Sequence, residues 1–388
     1  MEYFITGIVF VLIFSLIILI HEGGHFWAAR FGKIKVEEFG FGLPPKACGW
    51  KNKKSGVLYS LNWIPFGGFV RMLGEDDRDK KAQKDPHAFG NRPLWARIFT
   101  VCAGVMMNFL LGWILLTVGY TIGMKPILIS PEDVDHAVAN GIVLTDDAGV
   151  LIAKVVPNSP AEKAGLLSGD FITGIDNIVP VQTAQEFLDA KNRGLRGKEF
   201  HLQILRRTYS STGQIETEKR IVALVPLDEE GNMGIYPSDD PSITAILPVQ
   251  YAPHKAAWQA AKDVGNLSHY TVVMLGDVVS SLVSKLTVPD GVGGPVAIVK
   301  ATHHFVSLGE VMEIVKFAAL LSISIGVINI MPVPALDGGR LIFLLFEGIF
   351  RRKPLPKWEP IIHGVGFILL ILFLIAITWK DLTSTISW

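Results

Sequence analysis

A helical polytopic membrane protein carrying one inserted α+β module is the fold class that this sequence predicts, and three observations predict it. The chain is 49% apolar with a positive mean hydropathy, which sets it apart from ordinary soluble proteins. Four stretches, residues 4–29, 98–122, 311–331 and 361–379, are apolar over about the 20 residues that a helix needs to cross a hydrocarbon core. Between the second and third of these the pattern changes to alternating apolar residues with Gly, Asp and Asn turns, as in a folded aqueous module.

The first span is expected to be retained. Met1-Glu2-Tyr3 has no basic region, the apolar run continues to about Ile20, and no small-residue cleavage site follows it. The link after this span holds Arg30, Lys33, Lys35, Lys46, Lys51, Lys53, Lys54, Arg71, Arg92 and Arg97. The link between the third and fourth spans holds Arg340, Arg351, Arg352, Lys353 and Lys357. Positive charge marks the cytoplasmic side, so both links face the cytoplasm and the central stretch lies outside. Net charge is zero and no basic block is interleaved with aromatics, which excludes a nucleic-acid partner. Two cysteines, Cys48 and Cys102, are too few for a disulfide framework, so any metal must be held by His and carboxylates.

The chain therefore divides into four parts. Residues 1–123 hold two spans and a Gly- and aromatic-rich loop at 34–73, read as strands closed by turns that touch protein or lipid. Residues 124–240 form the module, and 241–310 contain an amphipathic helix, 256–286, that lies on the membrane surface. Residues 311–388 hold the last two spans. Within the module, 150–156, 171–175, 199–206 and 219–225 read as strands, and 160–165 and 184–193 as helices. His303-His304 are adjacent, cannot face one ion from a helix, and read as an interfacial loop. His363, Trp258, Trp358, Trp379 and Trp388 fit headgroup positions.

His21-Glu22-Gly23-Gly24-His25 carries the chemistry. On a helix, positions i and i+4 share a face, so both imidazoles reach one ion, and the intervening Glu22 is placed to serve as general base. Left unpaired at the end of an apolar helix, this cluster would cost several kcal/mol. A headgroup-facing polar cap is the bland alternative, but it gains nothing from two helix-weakening glycines. A catalytic zinc site has three protein ligands and an open position, so one more is needed. The third span supplies a candidate, because it breaks at Met331-Pro332-Val333-Pro334-Ala335-Leu336 and reaches Asp337-Gly338-Gly339. His21 lies roughly 26 Å along the first helix, near the cytoplasmic boundary toward which the third span descends. Asp337 can therefore reach the level of the two His. Its alternative is a cap for a helix beginning at Gly338.

These motifs, with the FGFG loop, the GGFVRMLGE stretch at 67–75 and the N-x-x-P-x-P-x-LDGG run, resemble the site-2 protease family, in its bacterial regulator-of-sigma-E-protease branch. The run SPAEKAGLLSGDFITGID resembles a bacterial PDZ domain over about 151–226. The resemblance implies a membrane-associated β-hairpin loop, an extracytoplasmic PDZ-like domain and a location in the bacterial cytoplasmic membrane, with the active site near its inner face. It implies one Zn²⁺ on His21, His25 and Asp337, with Glu22 as catalytic base. Asn329 is implied to hold the substrate backbone extended, and the 34–73 loop, with Gly67 and Gly68, to offer it a strand edge. Implied partners are single-pass transmembrane proteins, such as anti-sigma factors or remnant signal peptides, after an upstream protease has removed their outer part. Departures are Ala103–Asn108 (AGVMMN, commonly AGP in relatives), Arg340 in place of a common His, and one PDZ-like module instead of two. The rivals are an inactive PDZ-bearing scaffold, disfavoured by the intact Glu22, and a zinc carrier, disfavoured by the lack of a polar path through the spans.

Overall fold

The computed structural model describes residues 2–75, 84–146, 148–176, 180–193, 199–209, 214–228, 232–238, 242–285, 293–351 and 358–383. The chain forms two compact units, Lys125–Val249 and the remainder on either side of it.

In the helical unit, α1 (Glu2–Phe31), α2 (Leu94–Ile122), α8 (Val311–Ile330) and most of α10 (Trp358–Thr383) are long and apolar enough to cross a membrane. Of these, α2 is the most enclosed and α10 the least, with Phe367, Ile368, Leu369 and Ile375 turned outward. Small residues let α2 lie close to its neighbours: a Cβ on Gly112 would meet the Ile323 side chain of α8. The helix α6 (Pro253–Lys285) corresponds to the expected amphipathic helix, and it packs along α2. Trp113 Nε1 donates to the Ala257 carbonyl at 2.9 Å, and the Tyr120 hydroxyl donates to buried Asp263. Trp258 and Trp379 are exposed, while the side chain of Trp358 and all of Trp388 lie outside the described residues.

His303 and His304 are not in a loop but in α7 (Pro295–Leu308). Asp381 of α10 caps its start, accepting from Gly294 N–H at 2.9 Å and Ala297 N–H at 3.0 Å. A cap more than 80 residues away leaves no local sign of a helix. His303 stacks on Tyr3 and its Nδ1 lies 3.0 Å from Thr6 Oγ1, which ties α7 to α1. A further helix, α9 (Asp337–Phe350), follows the broken segment where the cap alternative for Asp337 placed one, and is held to α2 by a two-pronged pair. Arg97 donates to Glu347 at 2.8 and 2.7 Å.

The 34–73 loop forms β1 (Val36–Lys51) and β2 (Leu58–Met72), folded so that four runs lie side by side. Residues 36–41 pair with 68–72 on one flank and 58–61 on the other, and 46–51 pair with 58–62, so 68–72 forms an edge. The sheet packs on α1 through Phe26, Ala29, Ile34, Val36, Val70 and Met72, with Phe39 and Tyr59 against the Phe26 ring.

The second unit opens with α3 (Pro131–Ala139), started by a Ser130/Asp133 capping box. It contains β3 (Val143–Asp146), β4 (Val150–Val155), α4 (Pro160–Lys163), β5 (Phe171–Ile175), α5 (Ala184–Arg193), β6 (Glu199–Tyr209), β7 (Ile215–Pro226), β8 (Ile235–Ser238) and β9 (Ser242–Ile246). Five antiparallel strands run in the order β7-β6-β5-β4-β8 around a core of Val150, Ile152, Leu166, Ile172, Phe187, Phe200, Leu202 and Ile204. The unit continues past 240 because β9 returns to pair with β3. Arg207 bridges Asp146 and Glu218. Burial, then the Asp146 carboxylate beside it, pushes the Tyr209 hydroxyl up to about 12.

Asp170 is 1% exposed, pairs with Arg206 at 2.6 and 2.7 Å, and accepts the Leu167 N–H at 2.8 Å. Asp170→Ala leaves that amide unmatched and the guanidinium with only its bond to the Gly165 carbonyl, and should destabilise the unit by about 3 kcal/mol. Urea-dependent proteolysis of the full chain, read at cuts within 125–249, measures it; an unchanged midpoint would refute the assigned role.

Candidate metal centre

The first half of the site comes from α1. His21 and His25, one turn apart, turn their Nε2 atoms to within 3.2 Å of each other. The second half arrives on a chain reversal. The helix α8 ends at Ile330, Ala335 adopts φ +78°, and its N–H donates to His363 Nδ1 at 2.8 Å. His363 is thus tucked against this bend rather than placed only at a surface. The new helix α9 then stacks tightly on the end of α8. A Cβ on Gly338 would strike the carbonyls of Ile330 and Met331, and one on Gly339 would lie 2.5 Å from the Val333 carbonyl. The two glycines are what bring Asp337, in the first turn of α9, back to α1.

Asp337 Oδ2 lies 3.2 Å from His21 Nε2 and 3.3 Å from His25 Nε2. Three ligand atoms at these spacings form one face of a tetrahedron, since zinc bonds of about 2.0–2.1 Å put tetrahedral ligands about 3.3 Å apart. Oδ2 is buried and accepts no hydrogen bond, a cost that a cation removes. The donor set, two imidazoles and a carboxylate, fits zinc, and it is the one metal-binding cluster of three such groups among the described residues.

The floor of this cradle is α2. Thr100, Gly104 and Asn108, spaced i, i+4 and i+8, form a stripe beneath the imidazoles. His25 Nδ1 donates to the Thr100 carbonyl at 2.8 Å, and His21 Nδ1 lies 3.2 Å from the Asn108 carboxamide. A Cβ on Gly104 would collide with His25 Nε2 and lie 2.9 Å from His21 Cε1. Sequence reasoning did not assign these three residues to the site. The only signal was the AGVMMN run, whose importance depends on which face of α2 meets α1.

The remaining expected residues line a cleft of about 280 Å³ that His21 and Asp337 also border, with Glu22, Gly67, Gly68 and Asn329 joined by Ile17, Ile18 and Ile325. A Cβ on Gly68 would lie 3.0 Å from Glu22 Cγ and from Ile18 Cγ2, so the sheet edge touches the helix that bears the motif. The structure thus brings all seven expected residues to one place. Near it, Arg340 pairs with Glu75 at the end of the GGFVRMLGE stretch.

Gly104→Ala puts a methyl group where the imidazoles converge. Zinc per chain, measured by metal analysis of purified protein, should fall to a small fraction of the wild-type content. Full occupancy would mean that the cradle does not form as described.

The family model described as Peptidase family M50 matches residues 9–373. A Clostridium acetobutylicum protein, named as a candidate zinc metalloprotease, is 30% identical over 391 residues, covering 99% of each chain. Zinc metalloprotease RasP of Shouchella clausii is 29% identical over 98% of this chain and 100% of its own length. RasP of Bacillus licheniformis is 27% identical over 97% and 98%. With the match extending across four membrane-length helices and a zinc-shaped triad, the chain belongs to peptidase family M50 and is a zinc metalloprotease of the site-2 protease type.

Proposed function

We propose that the chain hydrolyses peptide bonds within transmembrane segments of other proteins, with His21, His25 and Asp337 holding the zinc and Glu22 acting as general base. The observation that carries this reading is the shared cleft, in which a strand edge, the Glu22 carboxylate, Asn329 and two of the three ligands, His21 and Asp337, meet on membrane-length helices. Zinc supplies Lewis-acid chemistry, activating water near neutral pH and polarising a carbonyl. Glu22 takes the proton lost by the attacking water and returns it to the amide nitrogen as the peptide bond breaks.

A transmembrane substrate hides its carbonyls in its own helix, so it must unwind before attack. Pairing with the 68–72 edge replaces some of the lost hydrogen bonds, and Asn329 holds the opposite side of the extended segment. The arrangement of basic residues supports placing the centre near the cytoplasmic face of a bacterial cytoplasmic membrane, with residues 125–249 outside. The strand order of that unit supports a PDZ-like reading. Its edge strand β8 and α5 flank a groove of about 720 Å³ lined by Phe187, Leu188, Lys191, Ile235 and Tyr236, suited to an extended peptide tail. Single-pass membrane proteins already trimmed by another protease fit both features.

Glu22→Gln keeps all three ligands and removes the base. It should hold zinc while cleavage of a model transmembrane segment falls by about 10²- to 10⁴-fold. Normal cleavage by the zinc-loaded variant would sink the mechanism. Asn329→Ala should slow turnover with zinc retained; loss of the metal would instead mark Asn329 as structural.

A further inference from the structure

We propose that Asn108 is a positioning residue of the metal centre, setting the tautomer in which His21 presents Nε2 to the zinc. The inference rests on His21 being a ligand, as proposed above. An imidazole that gives its Nε2 lone pair to a metal carries its proton on Nδ1, and that N–H needs an acceptor. His25 has one in the Thr100 carbonyl, which no substitution removes. For His21 the group facing Nδ1 is a side chain, the Asn108 carboxamide, whose Nδ2 lies at 3.2 Å.

Asn108 is wholly buried, so its polar atoms have no water to turn to. Its Oδ1 is unpartnered, and a carboxamide can present either end to a neighbour at little steric cost. Turned end for end, so that Oδ1 takes the place of Nδ2, it accepts the Nδ1–H and leaves Nε2 bare toward Asp337 and His25. The backbone is held as well, since Ser322 Oγ of α8 donates to the Asn108 carbonyl at 2.8 Å. Ser322 is seven residues before Asn329 and so lies on the same face of α8. One helix therefore steadies the orienting residue and presents the substrate-side Asn.

The test compares zinc affinity, by chelator competition on the full chain in detergent, among wild type, His21→Ala, Asn108→Leu and Asn108→Asp. Thermal midpoints of the metal-stripped proteins serve as the fold control. Asn108→Leu keeps the volume and loses the acceptor, and its affinity should fall about 10- to 100-fold at an unchanged stripped midpoint. Asn108→Asp can only accept, and should bind zinc at least as tightly as wild type, a rescue that a packing role would not give. Wild-type affinity in Asn108→Leu alongside loss in His21→Ala overturns this inference and leaves the ligand set standing. Wild-type affinity in His21→Ala overturns both. If Asn108→Leu does not fold, Asn108→Asp decides, and a folded Asp variant with weakened zinc refutes the assignment.

Discussion

Gly24 of α1 lies against the carbonyl of Ala103 on α2, and Gly104 of α2 lies under the imidazoles of α1. This mutual approach of two backbones lets carbonyls and small side chains of α2 serve as the floor of the centre. A helix crossing through larger side chains would stand a few Å further away. His25 would then lose the Thr100 carbonyl, His21 the Asn108 carboxamide, and the two rings their common orientation. The Gly23-Gly24 pair weakens α1 by about 1 kcal/mol per residue, and here only Gly24 is used for contact, since nothing lies within 4 Å of a Cβ on Gly23.

The rest of the helical unit holds that approach in place by polar means. Between helices surrounded by lipid, apolar side chains provide little preference for protein over acyl chains, so packing and hydrogen bonds select the neighbours. Arg97–Glu347 fixes α9 to α2, Tyr120–Asp263 fixes α6, Thr6–His303 fixes α7, and Asp381 joins α10 to the start of α7. Links of this kind contribute about 0.6–2 kcal/mol each, but each has one geometry. Arg97 has the most direct bearing on the site, because α9 begins with Asp337 and a helix free to slide would carry this proposed ligand with it. Arg340–Glu75 acts on the same helix from the other side, tying it to the end of the strand whose glycines line the cleft.

Much of this was legible in the residues because the signals are local. Membrane-length apolar runs, the i, i+4 spacing of His21 and His25, and the prolines and glycines before and after Asp337 each act over a few residues. In the unit formed by Lys125–Val249, the strands and helices between Val150 and Pro226 fall within a few residues of their expected positions, since alternation and turn residues mark them directly. What stayed hidden depends on partners far along the chain. The cap of α7 is Asp381, and β9 is a strand because β3 accepts it. Thr100, Gly104 and Asn108 are unremarkable one by one, and they become a stripe only when α2 is known to face α1 at that height.

The sheet shows how the proposed substrate side is registered to the candidate metal centre without contacts of great strength. Phe26 follows His25 directly, and its ring is gripped by Phe39 and Tyr59, so the sheet is anchored on the turn of α1 that bears the second imidazole. From that anchor, residues 36–41 place the 68–72 run at a fixed spacing, and Gly68 meets Glu22 with no side chain between them. Any side chain there would press on the proposed base or hold the edge away from it. On the opposite wall Asn329 belongs to the helix whose end carries Asp337 forward through the bend. Each wall of the cleft is thus continuous with one half of the ligand set, the sheet with α1 and Asn329 with the chain leading to Asp337. A displacement that widened the cleft would also pull His21, His25 and Asp337 apart, which couples the width of the cleft to the integrity of the candidate centre.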